Sequence, residues 1–434
     1  MEAAVISQQN STTAFLKELN LPENATNNQV INDQIKASKE RLLNTSLPNK
    51  KDEDWKYSKI SPWLKKKYSS FRSNDKIDLK QFKSTDLKAN LLVFVNGFYR
   101  DDLSKISHQQ NGVIIQNMTE AIDLFQGDME AHFSKGIEAS FFNDLNTVYH
   151  GNGVFIKVKK DSIAETPIHL LHIQTGKANI AQTRNLIILE ENSQIEILES
   201  QFELNAVDCL SNHVSEYFIG KNALLNYSLI EKGSENALIH TNLFVQEDFS
   251  KINSNVFSLE NTLIRNNHFA KIIGKDTESR MNGSFMPDVN EQIDNRTLLD
   301  HQNVRGFSEE VYKGILFKKS SAIFNGKIFV DQKAQQTNAY LNNSNILMDD
   351  SARMYSKPEL EIYADDVKCS HGSATGDFDT EALFYLQARG IGIDKARNML
   401  IHAFMDEVLA KIDNEEIREL GKHYLEARMM KIEE

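Results

Sequence analysis

Between about Gly151 and Gly372 the chain runs in short apolar stretches broken by Asn, Ser, Gly and acidic residues, with no segment that reads as a helix of ordinary length. Within NLIILEENSQIEILES, ALLNYSLIEKG and AIFNGKIFV the apolar side chains recur at period two, the spacing of a half-buried strand. So long a stretch written this way confines the fold to a sandwich, a barrel or a stacked solenoid. The breakers are Asn and Gly rather than Pro, and no long fixed loops interrupt the strands, which tilts the reading toward a solenoid.

The flanks read differently. From Thr13 to Pro48 the pattern is helical, with Ile31, Ile35, Ser38 and Leu42 on one face. The run KDEDWKYSKISPWLKKKYSSFR interleaves lysines with Trp55, Tyr57, Trp63 and Tyr68. Such interleaving can mark a nucleic-acid surface, but the net charge of -12 provides no general field for phosphates, and aromatics docking a terminal helix under solvated lysines is the better reading. LLVFVNGFY reads as a strand turning at Asn96-Gly97, a hairpin signal. Toward the C-terminus, Asp379 is expected to cap a helix through Ala388 that ends at Gly390. Asp394 is expected to cap the next, with Ala396, Met399, Leu400, Ala403, Phe404 and Val408 on its buried face. A third helix begins near Asn414 with Ile417, Leu420, Tyr424 and Leu425 inward. These three helices hold too narrow a core to stand alone and must pack on the solenoid or on another protein. The expected division is a helical region over 1–88, a small mixed α/β segment over 89–150, the β core over 151–376 and a helical domain over 377–434.

Composition excludes several function classes. Only Cys209 and Cys369 occur, so there is no disulfide framework and a reducing compartment is expected. No stretch of about 18 uninterrupted apolar residues offers a membrane span, and the opening MEAAVISQQNSTTAF does not read as a secretory signal, so a cytoplasmic protein is expected. Lys177, Lys221, Lys275, Lys327 and Lys422 each follow a Gly, yet none precedes the Ser or Thr of a phosphate loop. The chain is therefore expected to bind no nucleotide. HExxH and paired CxxC motifs are absent. His169 and His172 sit three apart in a strand and should face opposite sides, while His240, His268 and His301 stand isolated; all five read as structural.

The chemically suggestive stretch is KPELEIYADDVKCSHG, Lys357 to Gly372. In an extended run Cys369 and His371 project to one side and Ser370 to the other. A thiol and an imidazole on one face suit iron, copper or zinc, but a site needs three or four ligands, so any metal requires help from elsewhere.

This stretch, followed by FYLQARGI (Phe384–Ile391) and preceded far upstream by DEDWKY (Asp52–Tyr57), resembles the SufB/SufD family of iron–sulfur cluster assembly proteins, and the SufD branch more closely. The branch rests on His371, Gly372, Ser373, Ala374, where the SufB branch carries a His-Glu-Ala-Thr type motif. The resemblance implies a right-handed parallel β-helix flanked by N- and C-terminal α-helical subdomains. It also implies a non-catalytic subunit of a SufB–SufC–SufD scaffold, paired with a SufB-like subunit and docked to a SufC-like ATPase. His371 would be an interfacial ligand to iron or a nascent iron–sulfur cluster shared with SufB, with Cys369 a weaker candidate. Phe384, Tyr385, Arg389 and Gly390 fall where partner contact is expected, and a homodimer is possible for the isolated chain. Two other classes remain open: a carbohydrate-active β-helix enzyme, which would need a carboxylate pair on an exposed sheet face, and a purely structural adaptor.

Overall fold

A computed structural model describes residues 2–19, 21, 23–106, 111–377 and 379–433. The chain opens with helices α1 (Glu2–Leu19) and α2 (Gln29–Asn44). Asn28 caps α2 by accepting a hydrogen bond from the Ile31 amide, and Ile31, Ile35, Ser38 and Leu42 form its buried face, as the heptad-like spacing predicts. Strands β1 (Asn90–Val95) and β2 (Phe98–Tyr99) make an antiparallel hairpin whose turn places Asn96 and Gly97 at φ 54° and 80°. Then come β3 (Val113–Asn117), α3 (Met118–Leu124), α4 (Gln126–His132) and α5 (Phe141–Tyr149).

The rest of the β region is a parallel β-solenoid. Its strands are β4 (Val154–Val158), β5 (Ile168–Lys177), β6 (Ile180–Leu189), β7 (Gln194–Ile219), β8 (Leu224–Lys232), β9 (Glu235–Gln246), β10 (Lys251–Glu260) and β11 (Leu263–Ile272). They continue as β12 (Glu278–Phe285), β13 (Gln292–His301), β14 (Phe307–Leu316), β15 (Ser321–Val330), β16 (Asn338–Leu347), β17 (Arg353–Ile362) and β18 (Lys368–Gly376).

Each strand pairs in parallel with the strand one coil away, which produces two ladders. One runs β1, β5, the first half of β7, β8, β10, β12, β14, β16, β18. The other runs β4, β6, the second half of β7, β9, β11, β13, β15, β17. Between them lies the lumen, filled by one alternate set of side chains from each strand, including Ile197, Tyr227, Phe244, Ile264, Phe285 and Phe324. Gly283 illustrates the fit: a Cβ there would lie 2.3 Å from the ring of Tyr312 on the next coil.

Corners are set by residues in the left-handed region, Asp161, Asn192, Asn222, Phe249, Asp276, Arg305 and Gln336 (φ 53–62°). Each donates its amide to a carbonyl of the following coil, as Asn222 does to Asp248 and Phe249 to Lys275. Side chains add to the stacking, since Asn222 donates to Asn192 (2.8 Å) and Asn192 to Asp161 (2.6 Å).

The two ends of the solenoid differ. At the N-terminal end β1 is paired by β2 and β4 by β3, both antiparallel. At the other end, among the described residues, β17 pairs only with β15 and β18 only with β16. The last coil therefore presents two unpaired strand edges.

Helices cover the outer faces. Trp63, Leu64 and Tyr68 pack with Phe141, Phe142 and the outward residues Ile180, Leu210, Ile239 and Leu263, so the aromatic-rich N-terminal stretch does serve as packing. After the solenoid come α6 (Thr380–Ala388), α7 (Ile393–Leu409) and α8 (Glu415–Glu433). Asp379 caps α6 through the amides of Glu381 and Ala382, and Gly390 follows at φ 83°. α7 departs from expectation. Gly392, not Asp394, stands at its N-cap, and Asp394 lies in the first turn, where its carboxylate complements the helix dipole. Its buried face is Ala396, Ile401, Met405, Val408 and Leu409, while Met399 is 43% exposed. That face meets Met286, Val311 and Ile315 of the solenoid; Leu400 and Phe404 are only partly covered, and Met399 and Ala403 are exposed. In α8, Ile417, Leu420, Tyr424 and Leu425 are buried as the spacing predicts.

Candidate functional site

β18 brings Cys369 opposite Ala339 and His371 opposite Leu341, and both partners are buried, lumen-facing residues of β16. Cys369 and His371 therefore lie on the lumen side of the last rung, with Ser370 on the outer side. No further coil covers that rung. Cys369 is half-buried against the end of the core, whereas His371 is exposed. Burial pushes the Cys369 thiol up from its ordinary value, so it rests protonated and would ligate only by losing a proton to a metal. A Cβ on Gly372 would meet nothing within 4 Å, leaving that edge open to close approach.

The same rung carries a polar set. Ser356 donates to Asn343 (2.8 Å) and lies 2.8 Å from the Ser373 hydroxyl, while Asn345 reaches Asn343 (2.8 Å) and Thr375 (3.2 Å). None of these supplies a strong metal donor, and among the described residues no group of three or more His, Cys, Asp or Glu side chains is placed to hold a metal ion. One exposed imidazole and one half-buried thiol are what the chain offers there.

α6 has no buried residue, in contrast to α7 and α8. Phe384 and Tyr385 are 72% and 57% exposed, and the Arg389 guanidinium lies 4.8 Å from the Tyr385 ring centroid. Two large aromatic side chains on this helix thus stay largely exposed among the described residues. A cleft of about 640 Å³ lies apart from His371 and Cys369, between the start of α7, Met429 of α8 and solenoid corners at Asp288, Phe317 and Met348.

His169 and His172 do face opposite sides of β5, but the lumen holds more than the sequence reading assigned. In the lumen His172 contacts Glu199 at 2.9 Å and its ring lies 4.4 Å from that of His213, while on the outer side His169 contacts Ser200 at 2.9 Å. His240 is not isolated either, since its Nε2 is 3.4 Å from Glu199 and its ring 5.7 Å from that of His213. The missed signal is coil spacing: His213 and His240 are register partners on adjacent strands, far apart in sequence. His301 does stand apart, bonded to Ser308 at 2.9 Å. Trp55 of DEDWKY lies under Arg265, whose guanidinium carbon is 3.7 Å from the ring, and Arg265 and Arg296 both donate to the Asp54 carbonyl, holding the segment on the outer face of β11 and β13.

Fold and site together define a parallel β-solenoid with helical covers, closed at one end and presenting an imidazole at the open other. The SufBD core domain of SUF-system FeS cluster assembly matches residues 172–404, and the SufBD protein N-terminal region matches residues 8–170. The chain is similar to the iron–sulfur cluster assembly protein SufD of Escherichia coli, at 32% identity across 89% of this chain and 90% of that protein. It is also similar to an iron–sulfur cluster assembly SufBD family protein of Synechocystis, at 27% identity across 94% of this chain and 95% of that protein. The chain belongs to the SufBD family of iron–sulfur cluster assembly proteins and is a SufD homologue. Among the described residues no helix is long and apolar enough to cross a membrane.

Proposed function

We propose that this chain is a non-catalytic scaffold subunit that pairs with a SufB-like subunit and docks a SufC-like ATPase while a nascent iron–sulfur cluster is built at the subunit boundary. The observation that carries this reading is the open last coil: two unpaired strand edges with His371 at their exposed lumen-side rim. Such edges recruit another sheet by backbone hydrogen bonding, and a second solenoid of the same coil width would continue both ladders. In that arrangement His371 donates a ring nitrogen to ferrous iron, the cargo of the assembly, while the partner supplies a thiolate. Cys369 is a second, weaker ligand candidate. Because no phosphate loop is present, energy for rearranging the boundary comes from the ATPase partner.

His371→Ala is expected to leave the three-component complex intact on size-exclusion chromatography and to lower both bound iron and cluster yield in a reconstitution with iron and a sulfide source. Undiminished yield would remove His371 from the site and favour a purely structural adaptor. For the isolated chain the same edges favour a homodimer, measurable by light scattering.

The ATPase is assigned to α6 through Phe384 and Tyr385, with Arg389 and Gly390 shaping its end. Replacing both aromatics by Ala removes exposed side chains and is expected to alter folding stability by no more than about 0.5 kcal/mol. It should also abolish co-purification with the ATPase. Unchanged co-purification would place the dock elsewhere.

A further inference from the structure

The lumen near its N-terminal end holds a cluster of ionisable side chains that the proposed function does not use. Glu199 is fully buried. Its carboxylate accepts from the Tyr227 hydroxyl (2.8 Å), contacts His172 Nε2 (2.9 Å) and lies 3.4 Å from His240 Nε2. On the far side of His240, Nδ1 lies 3.9 Å from Oε1 of Glu231, whose other oxygen accepts from Ser258 (2.7 Å) and Asn266 (2.8 Å). The rings of His213 and His268 flank His240 at 5.7 and 6.3 Å.

These groups are buried, and many of their polar atoms have no aligned protein partner. Among the described residues His172 Nδ1, His213 Nε2, both nitrogens of His240 and of His268, and Glu231 Oε1 find no hydrogen-bond partner, and neither do the side-chain carbonyls of Asn242 and Asn266. Each orphaned group costs about 1–3 kcal/mol, so that many together would consume the roughly 5–15 kcal/mol by which a folded domain is stable. Polar atoms in such positions are met by internal water, which typically makes about three hydrogen bonds. Among the described residues no three metal-ligating side chains converge here, so water rather than a cation answers the need.

We infer that this part of the lumen is a water-filled proton-binding site centred on Glu199, His240 and Glu231. Burial alone would raise the Glu199 carboxyl, yet His240 and His172 hold it well below the ordinary carboxylate range. Burial would lower His240, and Glu199 with Glu231 outweighs that and keeps its imidazole above the ordinary value. His240, set between the two carboxylates, is the group placed to carry the bound proton facing Glu199. Around them burial raises Glu231, Tyr217 and Tyr227, holds His213 well below its usual range and lowers His268 to about 3. Farther along, burial raises Glu310 to about 8, where it bonds Thr297. Tyr312 and Phe324, with ring centroids 5.1 Å apart, close the run before the polar set of the last coil. The cluster is buried, whereas His371 is exposed.

Two measurements on the full-length native chain test this. In a crystal structure at a resolution that shows solvent, discrete peaks are expected within hydrogen-bond distance of His240 Nδ1, His268 and Glu231 Oε1. A dry lumen would overturn the proposal, and so would a single peak with the anomalous signal of a transition metal. By nitrogen NMR of histidine-labelled protein, one buried imidazole should remain doubly protonated above about pH 6.5, the ordinary midpoint, with His268 neutral throughout. Glu199→Gln, which keeps shape but removes the facing charge, should return that imidazole to the neutral form at the same pH. A His240 already neutral in the native chain would refute the assignment whether or not the variant folds.

Discussion

A chain ending at Asp379 is expected to lose its native fold, not merely a docking element. The removed segment contributes Ile401, Met405, Val408, Leu409, Ile412, Ile417, Leu420, Tyr424, Leu425 and Met429 to a single apolar cluster with the outer face of the first ladder. Burial of a large apolar side chain contributes about 1.5–3 kcal/mol. Ten of them exceed the roughly 5–15 kcal/mol net stability of a typical domain, even after discounting for a compact unfolded state. The truncation would also bare Phe257, Met286, Val311 and Ile315, an apolar surface prone to aggregation. Buried charge ties the helix down as well: Arg428, 5% exposed, donates to the Met286 carbonyl (3.2 Å) and to Glu291 (2.5 Å). Insoluble expression, or a soluble product that binds a hydrophobic dye and melts without cooperativity, is the expected result. A truncated chain with an unchanged, sharp thermal transition would show that α7 and α8 are dispensable covers. Loss of ATPase binding in such a truncation would therefore say nothing about α6.

Glu216→Ala is expected to destabilise the protein by about 3–5 kcal/mol, the effect of stripping one partner from a buried ion pair. Arg184 and Glu216 are both fully buried on the outer face of β6 and β7, beneath the segment that follows α4. The Ser134 amide donates to Glu216 (2.9 Å) and Arg184 donates to the Ser134 hydroxyl (2.7 Å), so three chain segments meet at this pair. Arg184 also sits 4.9 Å from the Phe133 ring centroid, and its Nε and Nη1 have no hydrogen-bond partner among the described residues. Without Glu216 the guanidinium keeps its charge in a site water cannot reach, which is why the loss exceeds that of a surface pair. Urea denaturation reads the difference directly. A change under about 1 kcal/mol, the range for exposed pairs, would mean that solvent enters the site.

The sequence carries much of this architecture where a single element suffices. The α2 face, the Asn96-Gly97 turn, the Asp379 cap and the inward residues of α8 all follow from local spacing. The solenoid repeat was hidden because its corner position demands a backbone conformation rather than one residue type. Asp161, Asn192, Asn222, Phe249, Asp276, Arg305 and Gln336 all fill it, and only the neighbouring coil's hydrogen bonds hold the bulkier ones there. The α7 face was misread because its sequence offers a wide apolar stripe and the solenoid surface decides which flank is covered. The lumen cluster escaped for a related reason. Glu199 and His213 lie in opposite halves of β7, Glu231 in β8 and His240 in β9, and nothing short of register brings them together.

The unequal ends of the solenoid set a limit on growth. Among the described residues the first coil is flanked by the short antiparallel strands β2 and β3, whereas the last coil ends in the parallel edges of β17 and β18, so an extension of the ladders in parallel-sheet width is offered at one end. An end-to-end contact through the last coil, with a like or an unlike chain, would cover those edges on both bodies. Stacking through that rung would stop at a pair, where a solenoid with matching ends would nucleate a fibre.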